Sequence, residues 1–277
     1  MNPPSEDKLY ARALQTVGAV AKLPVVRVYR EEFLRKQFGG SPHLDTILER
    51  GPQAVFSVES LRKKADSLIK DTLTKTSFAS FVAGLPGNPA AAIALGGADV
   101  VQYFGFAINL AQQLAYLFGE DDLFEGGGEL SEAAQMRVIA YLGAMFGAAG
   151  AGALIAKTSR AAGVNLGKKV AAQALTKTTW YPLLKQLGAL IGKKVTKKTV
   201  EKAITKGVPI VGGVVSGVLT YVTFGPMGRR LADTLVRHVN GEFDDELELN
   251  EHFAAATVVV LADVDEIIDP PTPDIAG

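Results

Sequence analysis

Three long stretches of this chain carry almost no charge and are rich in glycine and alanine. Residues 77–118 contain one charged side chain, Asp99, while residues 141–156 and 207–228 contain none. Apolar segments of that length have to be hidden from water, in the core of a helical domain or in a bilayer. These neutral runs therefore constrain the fold before any motif does.

With 277 residues and 48% hydrophobic content, the chain is long enough to bury a large core. Lys and Arg balance Asp and Glu at 29 each, which argues against the overall basic bias of a general nucleic-acid binder. The balance hides a segregation. Residues 157–206 hold 12 Lys or Arg against one acid, Glu201, whereas residues 240–277 hold 11 Asp or Glu and no Lys or Arg. One segment is a cationic block and the other an acidic tail. There is no Cys, so disulfides, thiolate chemistry and Cys-based zinc sites are excluded. The first residues, MNPPSEDKLY, lack the apolar core of a signal peptide, so the expected location is cytoplasmic, peripheral at most on the inner face of the cell membrane.

Periodicity reads helical nearly throughout, and the expected class is all-α: a single Gly/Ala-rich bundle with apolar helical hairpins. Residues 1–57 form N-terminal helices. Ser5 caps the first, which runs to Pro24, a second stops at Gly39-Gly40, and a third opens at Ser41-Pro42 and closes at Gly51. Residues 58–239 form the helical core. An amphipathic helix over 58–83 grows steadily more apolar and breaks at GLPGNP (84–89), the tip of a hairpin whose second arm is 89–118. The acids and glycines of 119–129 read as an exposed loop, and Ser131 caps the next helix. Gly143, Gly147, Gly150 and Gly152 then form a small-residue groove. A polar connector begins after Ala156, followed by helices near 165–179 and 182–206, and a final helix starts near Gly228 and runs through His238. Residues 240–277 form the acidic tail. Its apolar patch, 257–261, docks as a short strand or helix, and its PPTP end is disordered.

Residues 100–118 and 207–228 reach the length that spans a bilayer, about 20 residues. Their composition counts against it. Gln102, Asn109, Gln112 and Gln113 interrupt the first, and interior glycines with Pro209 and Pro226 interrupt the second. A soluble helical core and a surface-docked state with insertable hairpins are the other two readings. The lysines Lys193, Lys194, Lys197, Lys198 and Lys202 lie on one helix beside a neutral run, the pattern of a lipid-contact face.

Enzyme signatures are not found. Residues 163–168, GVNLGK, fall one residue short of a phosphate-binding loop. Ser216 in GVVSG misses the nucleophile-elbow spacing, and Ser67-x-x-Lys70 is too short a pattern to carry chemistry. His43, His238 and His252 lack zinc spacing and read as surface or capping residues; no metal and no cofactor is expected. Asp99 is the sharper candidate, because a lone carboxylate in a neutral stretch needs a partner or a role. Arg160, Lys157 and Arg229 are its candidate partners. Arg160, Arg229 and Arg230 flank neutral runs, where they suit an ion pair or a phosphate head group.

The segments LPGNPAAAIALGGADVVQYFGF, IAKTSRAAGVNLGKKVAAQALTK and KGVPIVGGVVSGVLTYVTFGPMGRRLADT, in that order, resemble the EcsC family over residues 58–238. The resemblance implies a bacterial, helical, Gly-rich protein of a family named for one encoded beside the components of an ABC transporter. Asp99, Arg160, Gly163 and Gly212 match its recurring residues, and Asn165 falls in the same connector. The expected function is that of a non-enzymatic, membrane-associated helical protein, its basic face on anionic lipid or a membrane partner. The alternatives are a hydrolase or small-ligand-binding protein with a site near Asp99 and Arg160, and a membrane-permeabilising effector.

Overall fold

The computed structural model describes residues 6–74, 98–124, 130–163, 185, 188, 189 and 214–243. Within them the chain forms eight α-helices and no strand: α1 (Glu6–Ala21), α2 (Arg30–Phe38), α3 (Leu44–Arg50), α4 (Val58–Thr72), α5 (Ala98–Leu117), α6 (Glu132–Met145), α7 (Ala151–Gly163) and α8 (Val214–Val239). A single 3-10 turn, Pro52–Ala54, joins α3 to α4. The fold is all-α.

The first neutral stretch supplies the central helix. α5 packs against α1, α2, α4, α6 and α8, and Phe104, Ile108, Leu110 and Leu114 are fully buried there. Each such side chain contributes about 1.5–3 kcal/mol through burial. The amides that weighed against a bilayer span have internal work instead. Gln112, buried, donates through Nε2 to Val26 O (2.8 Å), and its Oε1 accepts from Val28 N (3.1 Å). Asn109 Nδ2 donates to Val25 O and Val26 O at 3.2 and 3.3 Å. Together they fasten the link between α1 and α2 along α5, satisfying backbone groups that have no helical partner.

Local chemistry sets several boundaries as expected. Ser131 caps α6, accepting from Ala134 N, and α4 starts at Val58, where Ser57, not foreseen as a cap, accepts from Ser60 N; each cap contributes about 1 kcal/mol. Other boundaries differ. α3 begins at Leu44 rather than beside Pro42. α4 stops at Thr72, with Leu73 at its C-cap. Residues 157–163 are not a connector but the last two turns of α7, where Thr158, itself buried, donates to Leu154 O and Ile155 O.

The small-residue series after α6 is no continuous groove. α6 ends at Met145, and Gly147 at φ +76° closes it through paired bonds from Gly147 N to Ala144 O and Ala148 N to Gly143 O. Gly150 then helps to turn the chain back into α7, which packs along α6. The final helix does not start at Gly228 either. α8 runs unbroken from the neutral stretch through Pro226 to Val239, because Phe224, Met227, Leu231, Ala232 and Leu235 are all buried and packing outweighs the lost backbone bond. The GLPGNP hairpin, the helices near 165–179 and 182–206 apart from 185, 188 and 189, and the tail beyond 243 lie outside the described residues.

Candidate functional site

The polar centre of the molecule is built on a residue that reads from sequence as a loop acid. α5 ends at Leu117, and Gly119, at φ +92°, lets Gly119 N bond Tyr116 O and Glu120 N bond Ala115 O. That left-handed turn, open to glycine at no steric cost, directs the next residue inward instead of into solvent. Glu120 is 5% exposed.

Four side chains from three other helices converge on its carboxylate. Oε2 accepts from Arg137 Nη2 at 2.7 Å and Tyr141 OH at 3.0 Å, both on α6, and from Ser159 Oγ on α7 at 2.5 Å. Oε1 accepts from His238 Nε2 on α8 at 3.2 Å. The Glu120 carbonyl accepts in turn from Arg30 Nε on α2 at 3.0 Å, while Arg30 Nη1 donates to Leu48 O at 2.7 Å. One residue thus joins the end of α5 to α2, α6, α7 and α8.

The electrostatics follow from that crowding. Burial pushes the Glu120 carboxyl up, but the His238 hydrogen bond, the Arg137 charge and the Ser159 hydroxyl outweigh it and hold the group at about 2. Burial drives the Tyr141 phenol well above its ordinary value despite the neighbouring Arg137 cation. Burial alone would lower the Arg137 guanidinium, yet Tyr141 and Glu120 raise it further. Arg137 Nε has no hydrogen-bond partner among the described residues, a desolvation cost of about 1–3 kcal/mol.

This arrangement is chemically quiet. A carboxylate that loses its proton at about 2 is a poor general base near neutrality, and four donors occupy its two oxygens. Ser159 gives its only proton to that poor base rather than to His238. The cluster is a buried cross-link.

The residues picked from sequence fall elsewhere. Asp99 lies in the first turn of α5 and Arg160 near the end of α7, with both side chains outside the described residues, as are Asn165, Lys193, Lys194, Lys197, Lys198 and Lys202. Arg229 is exposed on α8. Arg230 is half-buried and donates to Met145 O at 3.5 Å, across the C-terminal end of α6. His238, expected as a surface or capping residue, is part-buried, its side chain 20% exposed, and its Nε2 lies 3.2 Å from the buried acid. Glu120, Arg137 and Ser159 were missed. The sequence offers only weak marks, a single charge, Arg137, among the apolar residues Met136, Val138 and Ile139, and Glu120 after a glycine at the end of a neutral run, and neither says which way the side chain turns. No groups of His, Asp or Glu suited to a metal ion occur among the described residues. No family model, curated protein or solved structure matches the chain.

Proposed function

We propose that the chain is a non-enzymatic helical protein that docks on an anionic membrane surface, or on an anionic membrane partner, through its lysine-rich stretch while its core stays closed. The observation that carries this reading is the charge segregation, 12 Lys or Arg against one acid in residues 157–206. Each cation held near an anionic leaflet contributes about 1 kcal/mol, so Lys193, Lys194, Lys197, Lys198 and Lys202 acting together suffice for stable docking. The burial of α5 supports the same reading, since Val101, Phe104, Ile108, Leu110 and Leu114 are already hidden by protein. Among the described residues no helix is long and apolar enough to cross a membrane. Membership of the EcsC family and a place on the inner face of the cell membrane belong to this proposal.

Flotation with phosphatidylglycerol vesicles tests it. The full chain is expected to float at low salt and to be released at about 0.5 M salt, where charges are screened beyond about 4 Å. Replacing the five lysines with Gln is expected to abolish recovery. Absence from the vesicle fraction at low salt overturns the reading, and retention at high salt replaces docking with insertion.

A further inference from the structure

The contacts along α8 fix the direction of the helices packed on it. Asp233 meets Arg62, Gly228 lies against Ile69 and Gly225 against Leu73, so α4 runs antiparallel to α8. Phe224 packs on Phe106 at 4.8 Å, Gly228 on Leu110, and His238 lies by Glu120, so α5 runs parallel to it. α6 runs opposite again, with Arg137 beside Glu120 and Met145 O beside Arg230. The end of α4, the starts of α5 and α8 and the turn from α6 to α7 therefore point one way, and the ends of α5 and α8 point the other. All three neutral stretches lead to the first end.

The two ends also differ in charge. Residues 77–98, which join the end of α4 to the start of α5, and residues 207–228, which lead through the first half of α8, carry none. The charges that flank these two runs are Lys75, Asp99, Lys206 and Arg229, three cations to one acid. Arg229 is exposed, and its guanidinium reaches back over Gly225 beside Leu73 at the end of α4. It has no ion pair among the described residues. At the opposite end, residues 121–129, between α5 and α6, hold four acids, and residues 240–251, after α8, hold six, with no Lys or Arg in either. We propose that the bundle meets the anionic bilayer with its neutral end, the acidic end turned away. This orientation rests on the docking reading and adds which face of the fold meets lipid. The negative surface potential of the leaflet repels the acidic segments, and uncharged chain gives up the least hydration on approach. Arg229 is placed to meet a headgroup phosphate, for which guanidinium geometry is suited. Lys206 stands eight residues before Val214, a tether of at most about 29 Å, so the lysine block is leashed to the same end.

The chain has no Cys, so a single introduced thiol reports each end. Thr74→Cys, exposed just past α4, and Asn240→Cys, exposed just past α8, are each labelled on the full chain with an environment-sensitive nitrobenzoxadiazole dye. With phosphatidylglycerol vesicles at low salt, the dye at position 74 is expected to brighten and shift to the blue, and the dye at position 240 to stay unchanged. Arg229→Gln is expected to weaken vesicle binding about fivefold, the loss of one cation at the leaflet, and Arg237→Gln, at the acidic end of α8, to leave it unchanged. A response at position 240 that equals or exceeds the one at 74 overturns the orientation. So does an Arg229→Gln variant that binds no more weakly than Arg237→Gln. A shift of the dye at 74 with protein concentration in the absence of vesicles assigns this end to a second copy and also overturns it. Flotation with no change at 74 overturns the orientation alone, whereas failure to float overturns docking and orientation together.

Discussion

α8 is tied to the rest of the bundle by carboxylates in two places, and the two contacts differ in everything except chemistry. At its last turn His238 donates to Glu120, whose side chain is 4% exposed and which also holds Arg137 at 2.7 Å. Further back along α8, Asp233 accepts from Arg62 of α4 at 2.8 Å, with the Asp233 side chain 62% exposed and Asp66 sharing the same guanidinium. Water competes at the second and is excluded from the first. A buried pair is therefore costly to assemble and costlier to break, whereas the exposed pair is worth about 0–1 kcal/mol.

The largest effect that separates the two regions is expected from Glu120→Gln. It leaves Arg137 buried without a counter-charge and should lower the unfolding free energy by about 3–5 kcal/mol in urea titration. A loss under 1 kcal/mol would mean that Glu120 holds nothing together. Pairing it with Arg137→Met sharpens the point. The double variant should be less destabilised than the sum of the single ones, because the second change removes the orphaned charge; strict additivity would deny the coupling.

The pH dependence gives a third contrast. The Glu120 carboxyl falls from an ordinary 4.5 to about 2 in the folded chain, so on acidification the unfolded chain takes up the proton first. The contribution of the cluster is whole above about pH 4.5 and is lost as pH falls through about 2. The stability gap between the wild type and Glu120→Gln should accordingly shrink between about pH 6 and about pH 3, measured by urea titration at each pH. A constant gap would assign the cost to packing rather than charge. The smallest effect belongs to Asp233→Asn. It should cost under about 1 kcal/mol, and added salt should shrink the difference.

Sequence patterns made the class and the capped helix starts legible because helical period, Ser caps and terminal glycines are local signals. From sequence, Gln112 and Asn109 only counted against a bilayer span for the stretch that includes α5 and left core and docked readings open; in the fold their amides bond the α1–α2 link. What stayed hidden depends on tertiary contact. Pro226 marks a break only in an isolated helix, and in the bundle the buried side chains on either side of it keep α8 intact. Glu120 looked exposed because it sits among acids and glycines. Its inward course is set by one left-handed glycine and by donors on helices distant in sequence, none of which a local pattern reveals.

Hydrogen exchange on the full chain, free and bound to phosphatidylglycerol vesicles at low salt, tests most directly whether docking leaves the Glu120-linked core closed. The slow amides of α5 and α6 are expected to keep the same protection on the vesicle as in solution. Accelerated exchange across Ala98–Leu117 on binding would show the core opening into lipid and would contradict the account.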